Sequence, residues 1–206
     1  MTAGNVLVCR NATEPCTNMS LHPFAQNHAP TLRNDVTLAA ILIAVCVAAR
    51  LLPHEWNLSP VAAAALFAGW TMGRRSIAVM VPVVALLISN VIAGGDDPRI
   101  MAVVYAGLAL PAGIGMFARR YRASLAAAPS ALASSAIFFV ASNWAVWQFS
   151  GIYSLDTAGL TQCFVAALPF FKYTVAGDLL WTAALFGGAW MVQRAAGRAA
   201  EAAQSA

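Results

Sequence analysis

Amide and indole side chains occur together within one otherwise apolar stretch of the sequence. Asn143 lies in the segment Ser142–Trp147 (SNWAVW), where Trp144 and Trp147 are three residues apart and share one side of a helix. An amide beside two indoles could bind a ring-containing ligand by hydrogen bonding and stacking together. A structural alternative stays open, in which the amide bonds a neighbouring helix and the indoles face lipid.

A second polar group follows the first long apolar run, around the segment Leu51–Pro60 (LLPHEWNLSP). Arg50, His54 and Asn57 supply a cation, an imidazole and an amide, all of which could line a binding pocket. The alternatives are that Arg50 extends to the membrane interface, that His54 is solvated, and that Asn57 caps the next helix.

Tyr105 and Asp178 are two further candidates for the same pocket. Tyr105 lies one turn into an apolar run, and Asp178 lies near the predicted start of the last run. Tyr105 could instead belong to the aromatic belt at the membrane interface, and Asp178 could be stabilised by the helix dipole. Asn90, near the end of another run, is an amide without an assigned role.

No catalytic or metal-binding set accompanies these residues. The sequence has no H-E-x-x-H motif, no Walker loop and no Ser/His/Asp or Cys/His set at one membrane depth. Its four cysteines do not have the spacing of a metal site. We therefore predict no enzymatic activity, no cofactor and no metal, and the energy for any transport would come from another protein or a gradient.

The composition indicates which solvent surrounds these side chains. Of the 206 residues, 60% are hydrophobic and only 10% are charged, whereas a water-soluble domain carries roughly 25% charged residues. A bilayer is the solvent that fits. The net charge of +4 does not indicate nucleic-acid binding, because the basic residues form short clusters between apolar runs.

Six apolar runs predict an all-α bundle of about six transmembrane helices over residues 36–193. The runs are Val36–Leu52, Pro60–Met72, Ile77–Ala93, Ile100–Ala118, Ala131–Phe149 and Val175–Val192. Residues 156–171, before the last run, predict a short re-entrant or interfacial helix that ends at Pro169. Residues 1–35 are polar and predict a disordered tail, and residues 194–206 form a short C-terminal tail.

The loops carry an asymmetric distribution of positive charge. With six spans and an internal N-terminus, the outer segments hold Arg50, Arg99 and Lys172. The inner segments hold Arg10, Arg33, Arg74, Arg75, Arg119, Arg120, Arg122, Arg194 and Arg198. This excess predicts that both termini lie in the cytoplasm.

Small residues recur at four-residue spacing on the first two helices. The first helix has Ala40, Ala44 and Ala48, and the second has Ala65, Gly69 and Gly73. Such stripes let another helix approach closely. The approaching helix could belong to this bundle or to a partner protein.

Three segments together resemble a known family of proteins. They are Arg50–Gly69 (RLLPHEWNLSPVAAAALFAG), Ser142–Trp147 (SNWAVW) and Pro169–Gly187 (PFFKYTVAGDLLWTAALFG). They resemble a family of bacterial six-helix membrane proteins without an assigned function. That family is similar to the substrate-binding S components of energy-coupling-factor (ECF) vitamin transporters, including BtuM-type cobalamin transporters. The resemblance covers about residues 36–192.

The resemblance implies an outward-facing pocket for one vitamin-sized molecule. The residues that would approach this pocket are Arg50, His54, Asn57, Tyr105, Asn143, Trp144, Trp147 and Asp178. The stripe Ala40, Ala44 and Ala48 would contact an ECF-type membrane subunit, which works with ATPases. The expected function is substrate capture for vitamin or cofactor-precursor uptake. The alternative is a structural or assembly protein that binds a partner through this stripe.

One departure from BtuM-type proteins concerns cobalt. Those that ligate cobalt use a cysteine near the pocket, but the outer loop over residues 94–101 (GGDDPRIM) contains none. The departure argues against cobalt–thiolate ligation, and with it against cobalamin as the substrate, although His54 could still ligate cobalt.

Overall fold

The computed structural model describes residues 5–8, 17–20, 32–52, 58–94 and 97–204 of the chain. The helices within these ranges are α1 (Leu32–Leu51), α2 (Val61–Thr71), α3 (Arg75–Ala93), α4 (Pro98–Ala118), α5 (Ala123–Phe149) and α6 (Thr157–Gln204). All except α2 are long and apolar enough to cross a membrane. The predicted all-helical architecture of a multi-pass membrane protein is confirmed.

The described residues form two units. One holds α1 to α5 with α6 up to Ala189, and the other holds a β-hairpin with α6 from Trp190 onward. The hairpin pairs β1 (Asn5–Val8) with β2 (Thr17–Ser20) in antiparallel register. It lies within residues 1–35, for which the sequence predicts no regular structure. The candidate site lies entirely within the first unit.

Helix α2 is the buried centre of the bundle. Every residue from Val61 to Trp70 is buried, which fits a segment that is apolar on all sides (VAAAALFAGW). A helix of 11 residues is about 16 Å long, roughly half the thickness of a bilayer's hydrocarbon core. Its rings reach α6, since Phe67 and Trp70 both make edge-to-face contacts with Phe186, at centroid distances of 5.1 and 5.4 Å.

Hydrogen bonds at both ends show that α1 and α3 run parallel. In the first turn of α1, Asp35 accepts bonds from the backbone N–H groups of Gly73 and Arg74, at 3.5 and 3.0 Å, just before α3 begins. At the opposite end of both helices, Arg50 Nε donates to Ser89 Oγ at 2.8 Å. Because α1 and α3 are parallel, the chain that joins the end of α1 to the start of α3 must run back along the bundle in the opposite direction. Helix α2 and its flanking loops therefore supply the second crossing.

The later helices alternate in direction. Asn90, near the end of α3, donates to the Tyr105 hydroxyl near the start of α4 at 3.3 Å. The guanidinium of Arg99, at the start of α4, lies 5.2 Å from the ring centroid of Phe149 at the end of α5. Helix α6 then runs antiparallel to α5, because Cys163 contacts Asn143 and Asp178 contacts Ser135. The bundle therefore has six crossings, of which α2 makes the short one.

Two glycines allow α2 and α4 to touch backbone to backbone. A side-chain carbon on Gly69 would overlap the backbone carbonyl oxygen of Ala112, and one on Gly115 would overlap that of Leu66. Close approach of this kind is how small residues hold membrane helices together. Of the predicted stripe on the second helix, Ala65 and Gly69 thus pack inside the bundle, whereas Gly73 is exposed and follows the end of α2. The stripe on α1 does not pack inside the bundle, because Ala40, Ala44 and Ala48 are all exposed.

Helix α6 corrects the predicted division of the last segment. The sequence predicts a short helix over 156–171 that ends at Pro169, followed by a separate span over 175–192. The structure has one continuous helix of 48 residues, Thr157–Gln204. A proline frees the carbonyl four residues earlier, which in water usually ends a helix. Inside a membrane bundle, neighbouring groups and local adjustments can satisfy that carbonyl, so proline is tolerated.

Substitution of Gly69 tests the α2–α4 contact. Gly69→Ala should lower the melting temperature of the detergent-solubilised protein, because overpacking costs about 1–3 kcal/mol, more than the ~1 kcal/mol that alanine gains over glycine in a helix. Gly113→Ala in α4 is the matched control, since its new carbon would meet nothing within 4 Å. Equal melting temperatures for the two variants would contradict the proposed contact.

Candidate ligand cavities between helices α1, α5 and α6

A cavity of about 280 Å³ opens between α5 and α6. It is called the phenylalanine cavity here, because aromatic rings form half of its lining. The residues that line it are Phe138, Phe139, Ser142, Asn143, Ala167, Phe170, Phe171 and Thr174. Three of these, Ser142, Asn143 and Thr174, carry hydrogen-bonding side chains. Apolar walls with a few polar groups are typical of small-molecule sites.

Two contacts between α5 and α6 bound the phenylalanine cavity, and they are farther apart along α6 than along α5. Cys163 Sγ lies 3.4 Å from the carbonyl oxygen of Asn143, and Asp178 Oδ2 lies 2.5 Å from Ser135 Oγ. The length of helix between these two contacts is about 12 Å along the axis of α5 and about 22 Å along the axis of α6. Helix α6 must therefore run obliquely or bend away from α5 in this stretch, which contains Pro169.

A smaller cavity of about 90 Å³ adjoins the first and contains one cation and one carboxylate. It is called the charged cavity here. The residues that line it are Arg50, Ser59, Val61, Ala62, Leu108, Phe138, Thr174 and Asp178. Phe138 and Thr174 line both cavities. The two spaces are therefore neighbours across this one pair of side chains.

Arg50 is held in the charged cavity by neutral partners on α3. Its Nε donates to Ser89 Oγ at 2.8 Å, and its Nη2 donates to Asn90 Oδ1 at 3.2 Å. The amide nitrogen of Asn90 in turn donates to the Tyr105 hydroxyl. The structure thus connects two predicted site residues, Arg50 and Tyr105, through an amide to which the sequence assigned no role.

Asp178 is buried in the middle of α6, with 4% of its surface exposed. Because α6 begins at Thr157, Asp178 is 21 residues from the helix start. This position corrects the explanation by the helix dipole, whose effect falls off within the first turn. Its Oδ2 instead accepts a hydrogen bond from Ser135 Oγ on α5, at 2.5 Å.

The segment before α2 closes the charged cavity from the other side. Trp181 Nε1, one turn after Asp178, donates to the carbonyl oxygen of Leu58 at 3.0 Å. The next residue, Ser59, lines the charged cavity, and its buried Oγ has no hydrogen-bond partner among the described residues. A buried hydroxyl without a partner costs free energy, so a ligand that bonded it would recover that cost.

The amide and the two indoles of the segment Ser142–Trp147 face different surroundings. Asn143 lines the phenylalanine cavity, and its amide nitrogen donates to the carbonyl oxygen of Phe139 in its own helix at 2.7 Å. Trp147 Nε1 donates to the carbonyl oxygen of Ser154 at 2.9 Å, so this indole holds the loop before α6. Trp144 is 43% exposed. The structure does not place the two indoles on either side of the amide.

Trp144 lines a larger apolar groove of about 610 Å³, which shares Phe139 with the phenylalanine cavity. The other residues along it are Val103, Phe139, Val140, Ala141, Leu160, Thr161, Phe164, Val165 and Leu168. Thr161 carries the one hydroxyl in this lining, and no charged residue belongs to it. The groove therefore lacks the polar groups that orient a ligand.

Two predicted site residues, His54 and Asn57, lie outside the described residues. Among the residues that the structure does describe, no group of three His, Cys, Asp or Glu side chains could hold a metal ion. Sequence reasoning missed the cavity residues Ser59, Phe138 and Thr174, and it missed Ser135, which bonds Asp178. The adjacent phenylalanine pairs at 138–139 and 170–171 were a usable signal, because both pairs line the larger cavity.

Substitution of two adjacent serines tests the Ser135–Asp178 contact. Ser135→Ala should lower stability by about 1–3 kcal/mol, because it leaves a buried carboxyl group without its hydroxyl partner. Ser134→Ala is the matched control: Ser134 is also buried and bonds a carbonyl of its own helix at 2.8 Å. Thermal unfolding in detergent measures both. An equal loss in the two variants would show that the contact with Asp178 adds nothing.

Comparison with known proteins gives a family but not an activity. No curated protein and no solved structure matches the chain. A family model matches residues 30–202, which include α1 to α5, most of α6 and both cavities. The chain therefore belongs to a family of unknown function, DUF6580.

Proposed function

We propose that this protein captures a small vitamin or cofactor precursor for uptake across a bacterial inner membrane. In this role it would resemble the S component of an ECF transporter. The observation that carries the proposal is the pair of adjoining cavities, in which an aromatic chamber of about 280 Å³ meets a charged chamber of about 90 Å³. Together they have the apolar walls and few convergent polar groups of a small-molecule site.

The cost of the polar groups supports a functional reading of the charged cavity. Charged side chains within a bilayer are expensive, so those that are present generally mark a ligand or ion pathway. Arg50 and Asp178 line one cavity from two different helices. Their hydrogen bonds to Ser89, Asn90 and Ser135 leave neither side chain paired with an opposite charge among the described residues.

The arrangement of the crossings supports an orientation with both termini in the cytoplasm. Six crossings return the chain to the side on which it started. The excess of arginine in the segments assigned to the inner side then supports a cytoplasmic location for both ends. The far ends of α1 and α3, which carry Arg50, Ser89 and Asn90, would then lie on the outer side of the membrane, where a substrate is captured.

The transport energy would come from partner proteins. The sequence contains no nucleotide-binding motif, so an ECF-type membrane subunit with its ATPases is the expected partner. The exposed stripe Ala40, Ala44 and Ala48 supports a contact with another membrane helix. The same exposure favours a second candidate function, an assembly protein that binds a membrane partner without any ligand.

A variant that fills the cavities tests ligand capture. Phe138 lines both cavities, so Phe138→Trp should reduce binding of a vitamin by about tenfold or more, because the larger ring occupies the ligand's space. The measurement is calorimetry on the purified protein against a panel of vitamins. Ile137→Trp is the matched control, since the adjacent Ile137 is 41% exposed. No heat with any vitamin would overturn the proposed function.

A bulkier stripe on α1 separates the two candidate functions. Ala44→Leu should abolish co-purification with a co-expressed ECF membrane subunit, because the added volume keeps the helices apart. Ala102→Leu, at an exposed alanine of α4, should leave it intact. Under the assembly function, Ala44→Leu would still release a partner, but Phe138→Trp would change no binding and no uptake.

A further inference from the structure

We infer that the ligand of these cavities carries a zwitterionic head group, a carboxylate together with an ammonium, attached to an aromatic ring. This inference rests on the site of the proposed function and names the chemical class of its ligand. It is carried by the presence of Arg50 and Asp178 in the lining of one small cavity, next to a chamber lined by phenylalanines.

Arg50 has hydrogen-bond donors left for a carboxylate. A guanidinium carries five N–H groups, and the described partners, Ser89 and Asn90, use one on Nε and one on Nη2. The two N–H groups of Nη1 and the second of Nη2 remain. Because these form a planar fork, they match the two oxygens of a carboxylate.

Asp178 has an acceptor left for an ammonium group. Ser135 occupies Oδ2, and Oδ1 has no hydrogen-bond partner among the described residues. Ser59 lines the same cavity, and within the described part of the chain its buried Oγ has no hydrogen-bond partner. A ligand ammonium has three donors, so it could bond both Oδ1 of Asp178 and Oγ of Ser59.

The two charged side chains do not neutralise each other. Among the described residues, no ion pair within 4 Å joins Arg50 to Asp178, although both line one cavity. Separated opposite charges at membrane depth are costly. A zwitterion placed between them would pair each charge, whereas a ligand with only one charge would leave the other side chain unpaired.

The ring of the ligand would occupy the phenylalanine cavity. Phe138 and Thr174 line both cavities, so a ligand extending past them reaches the rings of Phe139, Phe170 and Phe171. Aromatic walls favour an aromatic ligand through edge and offset stacking. The lining of the two cavities contains one cation, which disfavours ligands with a phosphate or several carboxylates.

Three ligands with one ring and different charges test this inference. L-phenylalanine has both charges, phenethylamine has only the ammonium, and 3-phenylpropionate has only the carboxylate. Calorimetry on the full-length protein in detergent should show L-phenylalanine binding about tenfold or more tightly than either analogue, since a site built for polar groups rejects ligands that lack them. Equal affinities, or no binding of L-phenylalanine, would overturn the inference.

Charge-removing variants give a second, independent readout. Asp178→Asn should remove the preference for L-phenylalanine over 3-phenylpropionate, and Arg50→Gln should remove the preference over phenethylamine. Asp97→Asn and Arg99→Gln are controls, because this ion pair of 3.0 Å is exposed and lies away from both cavities. Preferences that do not change in Asp178→Asn and Arg50→Gln would also overturn the inference.

The inference and the proposed function fail in different ways. Tight binding of a vitamin that lacks one of the two charges would support vitamin capture and overturn the zwitterion. Selective binding of L-phenylalanine without any uptake by cells would support a zwitterionic head group on the ligand and would contradict the proposed role in transport.

Discussion

A bilayer offers no water to a polar side chain, so each polar group inside this bundle needs a protein or ligand partner. That constraint accounts for the bonds that join the helices. Asp35 connects the start of α1 to the start of α3, and Arg50 connects their far ends. Asp178 bonds α5 through Ser135, and Trp181 bonds the segment before α2. Because these hydrogen bonds hold α1 and α3 parallel, the chain between the two helices must run in the opposite direction, and the buried α2 does so.

The same constraint separates structural polar groups from candidate functional ones. Trp147 bonds a loop carbonyl, and Asn143 bonds a carbonyl of its own helix, so both have protein partners. Against the residues that the structure describes, the buried Ser59 Oγ has no such partner, and Arg50 and Asp178 keep unused donors and an acceptor in the same cavity. The charged cavity is therefore the place in the described bundle where a ligand would gain most by supplying hydrogen bonds.

Hydropathy was sufficient to predict most of the helices. The predicted bounds of α1 to α4 lie within four residues of the observed ones, because runs of apolar residues in lipid leave the backbone little choice but helix. Helix α5 begins eight residues earlier than predicted and contains Pro129. The break predicted at Pro169 is wrong. Proline usually ends a helix in water, but inside a membrane bundle the neighbouring groups lower the cost of a proline within a helix. The same reason explains why α5 continues through Pro129.

The sequence by itself determined that this chain has the composition of a membrane protein, that its apolar runs form about six helices, and that Arg50, Asn143 and Asp178 would be costly in a bilayer. Only the tertiary structure decided which of these groups share a space. Asn143 and Trp144 are adjacent in sequence but line different cavities, whereas Arg50 and Asp178, 128 residues apart, line the same one. The physical reason is that helix periodicity relates residues on one helix, while the oblique path of α6 past α5 and the burial of α2 decide which helices meet.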